Sequence, residues 1–159
     1  MSESKFKTLR HIETVRNYLN QVIRELLSRQ ERHDQTKMQS PESEIFEVYT
    51  NKLRGCIYNS EEYKQYLKEM QVALDHHYSA YRHHPEHFEN GIKDMNLLDL
   101  IEMLCDWKSS TMRHADGDLM KSIEINQERF NYSNLLKQIF INTGKWLNDN
   151  APYHKANES

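Results

Sequence analysis

Breakers are scarce in this chain: only four glycines and three prolines punctuate 159 residues. That leaves little room for the tight turns of a hairpin-rich β fold and much room for long helices. Cysteine is nearly missing as well. Cys56 and Cys105 form no CxxC and no Cys/His spacing, which excludes a zinc ribbon or a disulfide scaffold. Both are expected as buried free thiols in a reducing compartment. No apolar run approaches the roughly 20 residues that cross a bilayer, and MSESKFKTLR lacks the apolar centre of a secretory signal. The expected location is therefore the cytoplasm, with no membrane partner. Nor is there an excess of charge: 21 Lys and Arg against 24 Asp and Glu give a net −3. Bulk electrostatic attachment to nucleic acid is excluded on that balance, while a small phosphorylated ligand held by a few local cations is not.

What the chain does have is helical periodicity. Ile12, Val15, Leu19, Val22, Ile23 and Leu26 recur at i, i+3, i+4, predicting a helix over about 8–30 with His33-Asp34 at or just past its end. Ser40-Pro41-Glu42 reads as a helix start with a capping serine and proline at the first helical position, and Gly55 as its stop. A third helix is expected over 60–82, its inner stripe including Met70, Leu74 and Tyr78. Pro85 then disfavours helix in the residue before it, placing His83-His84 where that helix frays. Three more are expected over 96–112, 117–130 and 133–147. The sum is an all-α fold, a single compact bundle of about six helices over residues 1–148, with 149–159 a frayed tail. Homo-oligomerisation is left open.

Nine histidines stand out, five of them within the twelve residues 76–87. His11, the adjacent pair His33-Asp34, and Asp106 form one constellation. Mixed imidazole and carboxylate donors suit Mn, Fe or Zn better than a dedicated calcium site. Asp106 continues an acidic strip with Asp99 and Glu102 on a helix that is apolar around most of its circumference and so expected to be largely buried. That strip either faces water or looks into a site. In the dense cluster, His77 falls three residues after Leu74 and seven after Met70, on the inner stripe, whereas His76 is turned about 100° away. A third feature is the polar run Arg113-His114-Ala115-Asp116-Gly117-Asp118 followed by Lys121. It reads either as an ordinary capping loop or as a clamp for phosphate.

The order His11, His33-Asp34-x-x-Lys37, His77, His83-His84-x-Glu86, Asp106 resembles the HD-domain superfamily of metal-dependent phosphohydrolases. The stretches HDQTK-x-QSPE, DHHYSAYRHHPEHF and EMLCDW look closest to an uncharacterised bacterial and phage branch of it. The resemblance implies that His11, His33, Asp34 and Asp106 bind one divalent metal (Mn, Mg, Fe, Co or Zn). It implies that Asp34 can bridge to a second metal, and that His77 and one or both of His83 and His84 hold that metal or contact substrate. Lys37 would meet an anionic group of the substrate; separately, if the 113–118 run faces the metals, Arg113, His114 and Lys121 are expected as further substrate contacts. Two departures matter. The position of Lys37 is a glutamate in the single-metal nucleotidases, and the Gly-Tyr-Pro signature of cyclic-dinucleotide phosphodiesterases is missing after His83-His84.

The expected function is hydrolysis of a phosphate ester or anhydride of a nucleotide-like small molecule, with Asp34 and Lys37 in the catalytic set and Glu86 protonating the leaving group. The alternatives are an HD-type di-iron oxygenase, or a non-catalytic helical binding protein with a structural metal site.

Overall fold

The computed structural model describes residues 2–57, 60–112 and 117–150, and among them every regular element is helical. The all-α class expected from the scarcity of breakers is what is found, as seven α-helices and three short 3-10 turns. The chain divides into two units, Met1–Tyr81 and Arg82–Ser159.

In the first unit, α1 (Glu3–Arg32) starts earlier than periodicity suggests because Ser2 caps it, its hydroxyl accepting from the Lys5 N–H. Glu3 in the first turn and Arg29 and Arg32 in the last complement the helix dipole. The helix ends at His33. Asp34 then takes a left-handed φ of 57°, which aspartate tolerates better than most residues, and the chain swings into a 3-10 turn, Gln35–Met38. α2 (Glu42–Gly55) stops where Gly55 implies, but its start differs from expectation. Pro41 is itself the cap, after a cis Ser40–Pro41 bond, and no side chain caps the first turn.

The single helix expected over 60–82 is two: α3 (Glu61–Glu69), capped by Ser60, and α4 (Gln71–Ala80). The break falls at Met70 (φ −88°, ψ 1°), whose side chain is buried. Methionine carries no break signal, so tertiary packing decided here against local propensity. α2 packs on α4 and on the 35–38 turn. The buried positions at that junction are Met70, Ala73, Glu42 and His77. Two of the four are ionisable, an arrangement that needs partners to be stable.

In the second unit, α5 (Leu97–Thr111) opens with a capping box in which Asn96 and Asp99 satisfy each other's backbone N–H groups. α6 (Leu119–Phe130) starts on Asp118 and ends on Asn131 at φ 50°. α7 (Asn134–Asp149) starts on Ser133. Met103, Leu104, Leu119, Ile123, Tyr132 and Phe140 form the core, with Trp107 stacked over Phe130 and Tyr132. The Tyr132 hydroxyl donates to the Ile123 carbonyl, so the one polar atom of that buried ring is satisfied. Gly144 is buried on α7, where a Cβ would stand 2.9 Å from Leu119 Cδ2. Its lack of a side chain lets α6 and α7 approach closely.

α5 corrects the expectation of a largely buried helix. It buries Asp99, Met103 and Leu104 while Leu97, Ile101 and Cys105 stay exposed. The thiols are free as expected but not buried: Cys105 is exposed and Cys56 half-buried. Residues 151–159, most of the expected tail, lie outside the described residues.

Candidate metal centre

The first unit places four of the expected site residues together. The left-handed turn at Asp34 sets its carboxylate between the end of α1 and the face of α4. Asp34 Oδ1 lies 3.2 Å from His77 Nε2, and Asp34 Oδ2 lies 3.6 Å from His33 Nε2. Lys37 Nζ, one turn of 3-10 helix later, bonds to the same Oδ2 at 2.5 Å. Burial works against the Asp34 charge. The His77 hydrogen bond, the Lys37 ammonium and His33 outweigh it and hold the carboxyl far below the usual carboxylate range.

His77 is only 2% exposed and stands between two carboxylates. Its Nδ1 is 2.8 Å from Glu42 Oε2, and the neighbouring His76 Nδ1 is 2.7 Å from Glu42 Oε1. Burial of Glu42 is likewise outweighed, by hydrogen bonds from the Thr36 hydroxyl, His76 and His77, and its carboxyl is held below the ordinary value. The same segment is tied down by the Thr36 N–H, which donates to the Tyr81 hydroxyl at 2.8 Å.

A neutral imidazole has one N–H. With Nδ1–H given to Glu42, a neutral His77 would turn an Nε2 lone pair on Asp34 Oδ1, so the 3.2 Å approach takes either a proton on Nε2, which makes the hydrogen bond to Asp34, or a cation in that proton's place. Two donors about 2.1 Å from one ion and about 100° apart are themselves about 3.2 Å apart. The donor set and its spacing thus fit a divalent ion. A carboxylate on the far nitrogen of a ligating histidine is also the usual support for such a site.

In the second unit, Arg82 makes a bidentate pair with the fully buried Asp99, Nε to Oδ1 at 3.1 Å and Nη2 to Oδ2 at 3.0 Å. That pair fastens the segment after α4 to the start of α5 and so fixes the backbone that carries His83 and His84. His83 is buried with Nδ1 3.2 Å from Glu102 Oε1. The His83 and His84 rings lie 4.1 Å apart between centroids. Asp106, one turn beyond Glu102, is partly buried. The acidic strip of α5 is therefore not a solvated face: Asp99 and Glu102 both take cationic or imidazole partners.

Several expected roles are corrected. His11 is exposed on α1, and the 22 residues separating it from His33 run along one continuous helix. At about 1.5 Å per residue that is about 33 Å, too far for one ion to take both from the same chain. Lys37 spends its charge on Asp34 instead of projecting toward a substrate anion. The Glu86 carboxylate accepts from Arg129 Nη2, which occupies it as an ion-pair partner and not as a proton donor. Lys121 is exposed on α6, and Arg113 and His114 lie outside the described residues. Sequence reasoning missed Glu42, Thr36 and Tyr81, and treated Glu102 only as part of a strip. The turn of His76 away from the inner face is as expected, yet its ring still reaches Glu42.

A family model described as a family of unknown function (DUF5662) matches residues 1–151, and the chain belongs to that family. No curated protein and no solved structure matches it.

Proposed function

We propose that this member of the DUF5662 family is a metal-dependent phosphohydrolase of the HD-domain kind, acting on a phosphate ester or anhydride of a nucleotide-like small molecule. One observation carries the reading. Buried His77 offers Nε2 to Asp34 at 3.2 Å while Glu42 holds its other nitrogen, and His33 flanks the second Asp34 oxygen. A Mn, Mg, Fe, Co or Zn ion held there would supply positive charge to polarise a phosphoryl oxygen and to lower the pKa of bound water.

The chain's own residues do the rest. Asp34, His33 and His77 hold the ion, and Glu42 keeps the His77 proton on Nδ1 so that Nε2 is the donor. Lys37 fixes the rotamer of Asp34 through Oδ2. No serine, threonine or cysteine nucleophile is required.

A second reading, a metal-binding protein without hydrolytic activity, is favoured by one observation. Lys37 and Glu86, the residues expected to meet substrate, are both engaged by protein partners. Elemental analysis of purified protein separates these readings when paired with a screen of nucleotides, cyclic nucleotides and simple phosphoesters in Mn, Mg, Co and Fe. The expected result is one or two metal equivalents per chain, metal-dependent hydrolysis, and loss of both in Asp34→Ala. Full metal occupancy with no hydrolysis would move the conclusion to the second reading. No metal uptake by the wild type would end both.

A further inference from the structure

α1 carries the largest unexplained surface of the first unit. The helix is 30 residues long and buries none of them. Phe6, Leu9, Ile12, Val15, Tyr18, Leu19, Val22, Ile23 and Leu27 lie between 39% and 66% exposed. Side chains of this size each have roughly 150–200 Å² to lose, so about half-exposure of nine of them leaves about 800 Å² of apolar-rich surface in water. The largest apolar patch of an ordinary monomer is roughly 300–600 Å², whereas one side of a standard specific interface is about 800 Å². Local support for helical order along this stretch is confined to the Ser2 cap, the terminal charges and i,i+4 ion pairs near the two ends such as Glu3–Lys7 and Glu25–Arg29. Ile12, Thr14, Val15, Val22 and Ile23 are β-branched and lower its intrinsic propensity, and isolated helices in water are marginal without a packed face.

We propose that this face is covered by α1 of a second copy of the chain, in a two-fold helix-to-helix dimer. The occupant is read from the spacing. Ile12, Val15, Leu19, Val22 and Leu26 step by 3, 4, 3 and 4 residues, the a/d seam of a two-helix contact. Tyr18 and Ile23 flank that seam and widen it, while Arg10, Asn17, Gln21 and Arg24 fall on the opposite side and stay in water. A heptad seam with an area that matches one partner's share is self-complementary, and the two-fold arrangement buries the same residues from both copies.

Sedimentation equilibrium of the full chain from low to high micromolar concentration tests this. The wild type is expected at twice the chain mass and Leu19→Glu at the monomer mass. Asn17→Glu, on the water side, should leave the dimer intact. Leu19→Ala keeps high helix propensity, so its effect cannot come from unwinding α1. It should weaken the dimer about a hundredfold, because the lost leucine contact is present in both copies. Circular dichroism checks that Leu19→Glu keeps its helix content; should it not, Leu19→Ala decides. A wild type that stays monomeric throughout overturns the proposal, as does a Leu19→Ala protein that dimerises like wild type. Binding of monomeric wild type to phosphatidylserine–phosphatidylcholine vesicles would reassign the face to a membrane surface.

Discussion

Glu42 does at one carboxylate what two separate residues do in many metal sites: Oε1 takes the proton of His76 and Oε2 that of His77. Because it is fully buried, each bond is charge-assisted and the imidazole orientations are over-determined. Removing such a support usually costs 10–100-fold in metal affinity. Glu42→Ala is expected to weaken metal binding by about that factor, as read by isothermal titration, and to let the apo His77 ring sample both tautomers in ¹⁵N NMR. Glu42→Gln, which keeps one good acceptor, should retain more affinity than Glu42→Ala. His77→Ala should abolish binding while His76→Ala, at an exposed position, costs little. Equal effects at 76 and 77 would contradict the assigned roles. His33, Asp34 and His77 were legible because adjacency, chain order and helical phase are local properties. Glu42 was not, since it meets His77 across 35 residues and nothing in an acidic first turn distinguishes a ligand support from an ordinary dipole partner.

Among the elements, caps were read unevenly: α2 takes Pro41, not the expected Ser40, as its cap. Ser60, Asn96, Asp118 and Ser133 each accept from the first turn of the helix they precede. The failures have a common cause. The Met70 break, the exposed Leu97–Ile101–Cys105 line and the buried Asp99 are all decided by which neighbour arrives, and hydrophobic period says only that a face exists. Asp99 shows this most clearly: a strip of acids is ordinarily solvated, but the guanidinium of Arg82 and the Asn96 N–H arrive to satisfy it. The capping box offers a clean measure of local against tertiary control. Asn96→Ala removes the acceptor used by the Leu98 and Asp99 N–H groups. The expected cost is about 1 kcal/mol, seen as a Tm lower by roughly 2–4 °C with no change in metal affinity. A change in metal affinity would mean that α5 is registered by its cap and not by the Arg82–Asp99 pair.

For the molecule as a whole, ionisable groups placed where apolar ones would pack make stability a function of pH, and the proposed metal site would make it a function of metal as well. Asp34 titrates far below an unfolded aspartate, whose pKa is near 3.9. A depressed carboxyl contributes stability that is fully present above the unfolded value and is lost progressively as pH falls below about 4. Without metal, then, acid should unfold the protein from about pH 4 downward, and Asp34→Asn should flatten that dependence. Metal acts separately. An ion that binds only the folded chain adds RT ln(1 + [L]/Kd), about 2.7 kcal/mol at a hundredfold excess over Kd. Metal binding to histidine donors releases protons, so the gain should shrink as pH falls. Thermal melts at pH 7.5, 6 and 5, with and without Mn or Zn after chelator treatment, separate the two effects. The expected outcome is a rise in Tm of several degrees with metal at pH 7.5, a smaller rise at pH 6 and almost none at pH 5. His77→Ala should show no rise at any pH, while its metal-free acid transition shifts because Asp34 has lost its first hydrogen-bond donor. A wild-type Tm indifferent to metal at pH 7.5 would show that the His77–Asp34 approach is held by a proton alone, with the imidazolium doubly paired between Asp34 and Glu42.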